Sequence, residues 1–367
     1  MRAALPGLFA VAMAAAMSAT VAGSPVPAAS ALVQPAPVVP GLVMAFPRDH
    51  GSHPAFRTEW WYATGWLRTD SGEDLGFQIT FFRSLQPAAA TNPSAFAPRQ
   101  ILIAHAAISD AGRGRLWKDE RVARAGFGLA EAREGDAAVW IDDWRLERVA
   151  ETFAVHAPAR DFGLELALRE RQPPLLNGEA GFSRKGAAPL AASYYYSLPQ
   201  LEVRGHVVRE GRRVAVTGTA WLDHEWSSEV LEPGAVGWDW FSVNLADGGA
   251  LMAFRIRDRD GRQRWAGGTL RAADGSSRHY APEEIEFIPG REWRSPRTAI
   301  SYPVQWSVRV GERRLTLEPL MDDQESDTRL TTGAIYWEGA VRVREDARLL
   351  GLGYLELTGY GGALELR

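Results

Sequence analysis

Stretch after stretch of this chain alternates apolar and polar residues with a period of two: Leu75–Phe82 (LGFQITFF), Ile101–Ser109 (ILIAHAAIS), Phe162–Glu170 (FGLELALRE), Val304–Val310 (VQWSVRV) and Ala334–Val343 (AIYWEGAVRV). Side chains of an extended strand point to opposite faces in turn, so these segments read as β-strands, and their wealth of Trp, Tyr, Phe, Val and Ile agrees. Turn signals lie between them: Ser71-Gly72, Glu210-Gly211, Asp247-Gly248, Asp260-Gly261, Asp274-Gly275 and Gly311-Glu312, several being the Asp-Gly pair of tight hairpins. Helix evidence is sparse, and Gly128–Asp136 (GLAEAREGD) amounts to at most one short helix or a loop. Many short strands joined by hairpins must close on themselves or stack, and closure also removes exposed edges. The expected fold class is all-β: two tandem antiparallel β-barrels, up-and-down or lipocalin-like, with little helix.

A weak internal repeat divides the chain. Glu59–Phe77 (EWWYATGWLRTDSGEDLGF) and Asp239–Phe254 (DWFSVNLADGGALMAF) each open with an acid, a Trp and another aromatic, then reach a turn and an apolar strand. Each copy would begin a sheet; the first would close at Val214–Trp226 and the second at Gly351–Tyr360, with Pro233 and Gly234 interrupting strand pairing between them. The expected organisation is therefore an N-terminal domain over 43–230 and a C-terminal domain over 231–367. A length of 367 residues is a soft prior for the same number of domains.

Ahead of the first strand, Arg2 precedes an apolar Leu5–Ala22 stretch with small residues near Ala22, the pattern of a secretory signal over 1–23. An uncleaved anchor is the alternative. A Pro/Ala-rich tether follows over 24–42. These features point to a periplasmic or secreted protein, with no membrane span once the signal is removed. The chain has no cysteine, hence no disulfide framework and no thiolate chemistry. A formal net charge of −4 without a Lys/Arg block excludes an electrostatic footprint for nucleic acid.

Fourteen tryptophans are many for this length, and three stretches join Trp to ionisable groups: His53–Leu67, Thr219–Ser228 and Gly237–Leu245. Removing a charge from water costs several kcal/mol unless it is paired or changes protonation state. For Glu59 the expected role is a structural ion pair, with Arg57 or Arg83 as partner. For Asp223, His224, Glu225 and Asp239, pairing and catalysis both stand, Arg255 and Arg257 being available partners in neighbouring strands. If Trp221–Trp226 is a strand, Trp221, Asp223 and Glu225 share one face, with the two carboxyls about 7 Å apart, and Leu222, His224 and Trp226 share the other. Tyr194 and Tyr196 likewise share a face that Tyr195 does not. His53 and His105 are isolated and read as hydrogen-bonded structural residues. No metal is expected, because only one His lies in the cluster and no His-x-His or His-x-x-x-His pair occurs.

The ordered series FPRDHGSHPAFRTEWWYATGWL, FQITFFRS, AHAAISD, YYYSLPQL, GTAWLDHEWSS, GWDWFSVNLADGGALMAFRIRDRDG and YWEGAVRV…GLGYLELTGYG, spanning Phe46 to Gly361, resembles the carotenoid 1,2-hydratase (hydroxyneurosporene synthase) family together with the AttH-type secreted lipocalin-like proteins. The resemblance implies two tandem lipocalin-like barrels and chemistry on long apolar isoprenoid- or polyene-like molecules. Adding water to an isolated double bond needs a proton delivered to carbon, a cation held in place and a water at hand, but no cofactor. The donor should be a carboxylic acid whose pKa apolar surroundings raise, and Trp faces are the best side-chain partners for a developing cation. Asp223 or Asp239 is the expected donor and His224 the group that orients or deprotonates water. Trp60, Tyr62, Tyr194, Tyr196, Trp226, Trp238 and Trp240 are the expected ligand-binding wall. Glu225 joins Arg57, Glu59 and Arg83 among candidate structural ion pairs. The competing readings are a non-catalytic carrier of a hydrophobic ligand, which would have every acid paired, and a pocket that only steers pericyclic reactions of polyenes. A Ser hydrolase is disfavoured, since no Gly-x-Ser-x-Gly elbow occurs.

Overall fold

Pairing of the first strand of each repeat with the last one closes the architecture of the computed structural model, which describes residues 33–364. Thr58–Thr69 runs antiparallel to Arg212–Glu229, from Thr58 opposite Ser227 to Thr69 opposite Val216. In the second half Ala235–Leu245 pairs in the same way with Arg348–Leu357. Hairpin succession fills the rest. The first sheet runs from Trp117–Arg124 through Gln100–Asp110, Asp74–Leu85, Thr58–Thr69, Arg212–Glu229, Ala192–Arg209, Phe162–Arg169, Thr152–Pro158, Trp144–Val149 and Ala138–Ile141 to Ala130–Ala132. The second runs from Ser277–Tyr280 through Gln263–Arg271, Ala250–Asp258, Ala235–Leu245, Arg348–Leu357, Ala334–Glu345, Arg313–Pro319 and Trp306–Val310 to Ile285–Pro289. Both curl into nearly closed lipocalin-like barrels, and helix is confined to two 3-10 turns among the described residues, Arg48–His50 and Pro282–Glu284. The chain leaves the first sheet at Glu229 and enters the second at Ala235. No helix among the described residues is long and apolar enough to cross a membrane.

Alternation along the strands sorts side chains into three cores. Trp61, Ala63 and Leu67 point into the first barrel with Leu222 and Trp226. Phe241, Val243, Leu355 and Leu357 point into the second. Their neighbours on the same strands, Tyr62, Trp66, Trp221, Trp240 and Tyr354, meet in a third cluster between the sheets, joined by Met252, Phe254 and Ile256. Two buried faces explain why these strands read as nearly continuous apolar runs. Direct hydrogen bonds fasten the sheets: Trp66 Nε1 donates to the Gly353 carbonyl at 2.8 Å and Asn244 Nδ2 to the Ala220 carbonyl at 3.0 Å.

Close approach inside the first barrel demands glycine at position 65, where a Cβ would stand 2.5 Å from the Thr219 carbonyl oxygen and 2.7 Å from the Phe77 ring. Gly65→Ala is expected to cost about 1–3 kcal/mol through overpacking, read as a lowered urea midpoint at unchanged m-value.

Two local expectations give way. Within Gly128–Asp136 the residues Ala130–Ala132 form a short strand rather than a helix. The tether's described end is also fastened, not free: Ala36 N–H donates to the Ala55 carbonyl at 2.8 Å, Ser228 Oγ to the Ala36 carbonyl at 2.6 Å, and Val38 is buried in the first core. A short apolar residue amid prolines can plug a barrel core without forming one of its own. The expected signal segment over 1–23 and the first part of the expected tether lie outside the described residues.

Candidate active site

Between the two sheets the third apolar cluster leaves a cavity of about 760 Å³, within the range of about 300–1,000 Å³ usual for small-molecule sites. Most of the lining comes from the outward faces of the two barrels, completed by the 329–333 loop and the 358–364 segment. The first sheet contributes Trp60, Tyr62, Tyr195, Asp223 and Glu225; the second contributes Trp238, Trp240, Phe254, Ile256, Glu338 and Glu356.

Asp223 sits in this wall, only 3% exposed. Its Oδ2 accepts from the Tyr195 hydroxyl at 2.6 Å, and its Oδ1 from the Ser197 hydroxyl and Trp221 Nε1, each at 2.6 Å. A second layer orients those donors: Trp240 Nε1 donates to the Tyr195 oxygen at 3.1 Å and Asn177 Nδ2 to the Ser197 oxygen at 2.8 Å. Burial pushes the Asp223 carboxyl up, the three donors pull it down, and the nearby Glu225 charge raises it again, leaving it at about 7. Among the described residues no Lys or Arg forms an ion pair with it. Across the cavity, Glu338 and Glu356 face each other from adjacent strands. Burial and the Glu356 charge hold Glu338 well above the usual carboxylate range. Glu356 rises to about 7 through burial and the charges of Asp223 and Glu225, opposed by the bond it accepts from Trp238 Nε1 at 2.9 Å. Glu225 is the paired acid of the group, 2.9 Å from Lys185, whose ammonium lies 4.1 Å from the Phe254 ring centre and 4.7 Å from that of Tyr195. The partner of Glu225 is thus a lysine, not an arginine.

Strand parity separates residues that the sequence places side by side. His224, Trp226, Tyr194 and Tyr196 point into the first barrel, away from the cavity, so His224 cannot handle water for a proton donor at Asp223 and the other three are not ligand wall. Tyr194 instead holds the tether, donating to the Val39 carbonyl at 2.7 Å and accepting from Val39 N–H at 3.1 Å. Trp226 stacks on the His53 ring at 3.7 Å between centroids. Tyr196 stands between His50 Nδ1 at 2.6 Å and His224 Nδ1 at 3.1 Å. Burial keeps His224 below its ordinary value, against the opposing effect of Glu59.

Glu59 anchors this interior network. Arg83 Nε donates to its Oε2 at 2.8 Å, while His53 Nδ1 and His224 Nε2 lie 2.7 and 3.0 Å from its Oε1. Burial would raise Glu59, but the Arg83 charge and the bonds from His224 and His53 outweigh it and hold the carboxyl well below its usual range. The partner is Arg83; Arg57 forms no ion pair among the described residues. His53 is not isolated, since with Glu59 and His224 it brings three possible metal donors within 4.8 Å of one another. A cation there would have to displace both histidine contacts to Glu59 beside a buried guanidinium, an unfavourable exchange.

Asp239 is overturned as a proton donor. It points into the second barrel, where Arg255 Nε at 2.7 Å, Arg257 Nε at 3.2 Å and the Tyr360 hydroxyl at 2.9 Å all donate to its carboxyl oxygens. Register explains the pattern, for Glu59 lies opposite Arg83 and Asp239 opposite Arg255. The acid that opens each repeat is thus the buried anion of its own barrel. Sequence reasoning missed Tyr195, Glu338 and Glu356. A Glu between Trp337 and Gly339 in an otherwise apolar strand was the available signal. His105 also lines the cavity, hydrogen-bonded to the Tyr336 hydroxyl at 2.8 Å and to Thr331 Oγ1 at 3.0 Å; burial, with Lys118 nearby, lowers it to about 3, so it is neutral.

Two lipocalin-like barrels back to back, with a polar-studded apolar cavity between them, define a class of tandem-barrel β-proteins. Within that class the chain belongs to the AttH-like family, whose model matches residues 37–360. The crystal structure of an AttH protein from Nitrosomonas europaea is similar at 52% identity and a TM-score of 0.84, covering 89% of this chain and 99% of that one. Kievitone hydratase from Nectria haematococca shares the fold at 14% identity and a TM-score of 0.66, covering 89% of this chain and 96% of that one. No curated protein matches the sequence.

Proposed function

We propose that the protein binds an apolar isoprenoid- or polyene-like molecule between its barrels and hydrates a carbon–carbon double bond by cofactor-free acid catalysis, with Asp223 as proton donor. The observation that carries this reading is a buried cavity carboxyl with three hydrogen-bond donors and no cationic partner. A carrier would need no acid kept ready to release a proton, and Asp223, Glu338 and Glu356 all lack the Lys or Arg that a purely structural anion would have. A donor near neutrality suits proton transfer in both directions. Trp60, Trp238 and Trp240 present aromatic surface to a developing cation, an attraction of about 2 kcal/mol or more in a dry site. The hydratase from Nectria haematococca with the same fold supports the reaction class. Export, suggested by the Arg2 and Leu5–Ala22 pattern, is part of the same proposal, and N-terminal sequencing of the mature protein tests it.

The direct test is native mass spectrometry of the purified protein for a bound apolar molecule, then incubation with a panel of isoprenoid alkenes in isotopically labelled water. Hydrated product carrying the label supports the reading; bound ligand that never gains water establishes a carrier. Ile256→Trp, which fills the cavity from the second sheet, is expected to reduce ligand occupancy at least tenfold with little change in stability. Unchanged occupancy would move the binding site elsewhere.

A further inference from the structure

Hydration needs a base for the attacking water as well as an acid for the alkene, and the parity of the Arg212–Glu229 strand has removed His224 from that role. The opposite wall holds a pair of carboxyls, Glu338 and Glu356, that proton delivery from Asp223 does not use. Glu338 and Glu356 are directly opposed in register on Ala334–Glu345 and Arg348–Leu357, and both line the cavity. Side chains directly across an antiparallel pair stand about 4.5–5.5 Å apart at Cβ, so like charges there oppose each other. Glu338 is 5% exposed, its Oε1 lacks a well-formed hydrogen bond, and the hydroxyl of Tyr62, 7% exposed on the facing sheet, approaches that carboxyl closely enough to draw its pKa down. A carboxylate and a phenol hydroxyl that converge from opposite walls without completing a well-formed hydrogen bond mark a place for a polar guest. A single water with two or more polar partners fits such a place.

We propose that Glu338 and Glu356 share one proton and that Glu356 is the second catalytic residue of the cavity, holding the nucleophilic water and taking its proton, with Glu338 as the residue that positions and tunes it. The assignment rests on the hydration reading above. The Asp223 proton goes to one alkene carbon, the π electrons forming the new C–H bond and leaving a cation at the other carbon. The water oxygen then forms the C–O bond with that carbon, and one water proton passes to the Glu356 carboxylate. One water has been added, Asp223 is left ionised and Glu356 protonated. Return of that proton to Asp223 through cavity water resets the site. No electron is gained or lost and no co-reactant is consumed.

The groups facing the pair come from every packed element: Tyr62 on the first sheet, Asp223 and the Lys185-paired Glu225 on the Arg212–Glu229 strand, and Trp238, Tyr336 and Tyr354 on the second sheet. No cation among them neutralises either carboxyl of the pair. Two carboxyls in such a setting lose their protons in separate macroscopic steps that belong to the pair.

The test combines titration with turnover. Carboxyl carbon NMR of selectively labelled wild-type protein should show two glutamate signals titrating in separated steps, the upper one near or above neutrality. In Glu356→Gln the remaining Glu338 step should fall by about one unit or more, because the charge that raises it is gone, and in Glu338→Gln the upper step should vanish. Glu356→Gln should lower hydration about 100-fold or more while ligand occupancy is kept. Glu338→Gln should lower turnover less and leave the acid limb of the pH–rate profile, which reports Glu356, near its wild-type position. Glutamate steps that do not respond to each other's removal, or full turnover in Glu356→Gln, overturn the proposal. The wild-type spectrum supplies the coupling readout even if a variant fails to fold. If wild-type protein hydrates no alkene, the function reading fails and the base assignment falls with it; a coupled titration would still show the shared proton, so the two failures are told apart.

Discussion

Asp223→Asn is expected to lower hydration by about 10²–10⁴-fold, the contribution typical of a positioned general acid, while the protein folds normally. Asn keeps the shape of the side chain, and its carbonyl oxygen can still accept from Ser197 and Trp221. Its amide can donate to the Tyr195 oxygen in place of the bond that Tyr195 now donates. No guanidinium or ammonium is left stranded, so the stability change should stay within about 1 kcal/mol at neutral pH. The pH dependence has a definite sign. The folded pKa of Asp223, about 7, lies above its unfolded value, which is about 3.9. The relative stability from this group is therefore full below about pH 3.9 and is lost as pH rises through about 7. Asn removes that loss, so above neutrality the variant should resist urea as well as the wild type or better. Product analysis with parallel urea curves on either side of neutrality decides the matter. Retained turnover would exclude Asp223 as donor, and a collapsed fold would make it a structural anion.

How far the site could be read from the chain depends on which geometric rule each residue obeys. The period-two rule acts within one strand, so it correctly places Trp221, Asp223 and Glu225 on one face and Leu222, His224 and Trp226 on the other. It does not say which face looks into a barrel and which across to the other sheet, because on these strands both faces are buried and both are apolar. Hence the sequence pattern points to Tyr194 and Tyr196 as cavity wall, although it is Tyr195 that holds Asp223. Ion-pair partners obey cross-strand register instead. Arg83 meets Glu59 across 24 residues because the turn between their strands sets that register, whereas Arg57, two residues away from Glu59, does not pair with it. The same rule brings Glu338 to Glu356. The histidines of the first barrel converge through a 3-10 turn and a loop, which leave no periodic mark in the sequence.

Arg83→Met should destabilise the fold by about 3–5 kcal/mol, because removing one partner of a buried pair leaves the other charge uncompensated. Both side chains of the pair are fully shielded from solvent. Arg83 Nη2 also donates to the His53 and Phe56 carbonyls, each at 3.0 Å, so the loss would free the chain segment leading into the first strand. In the native protein Glu59 is held below its unfolded pKa, so its stabilising contribution is present above that value and lost as pH falls through the folded one. Without Arg83 burial prevails, the carboxyl pKa rises, and the variant should instead lose stability as pH increases toward neutrality. Arg57→Met is the matched control: it removes an equal charge two residues from Glu59, but no ion pair, and should change stability by less than about 0.5 kcal/mol. Urea titrations of both variants at several pH values give the comparison, and equal costs would show that Arg83 is not what keeps Glu59 ionised. Adding Glu59→Gln to Arg83→Met should recover much of the loss, since an amide carries no charge to strand and can still be bonded by His53 and His224. That recovery would locate the cost in the abandoned carboxylate rather than in the missing arginine contacts.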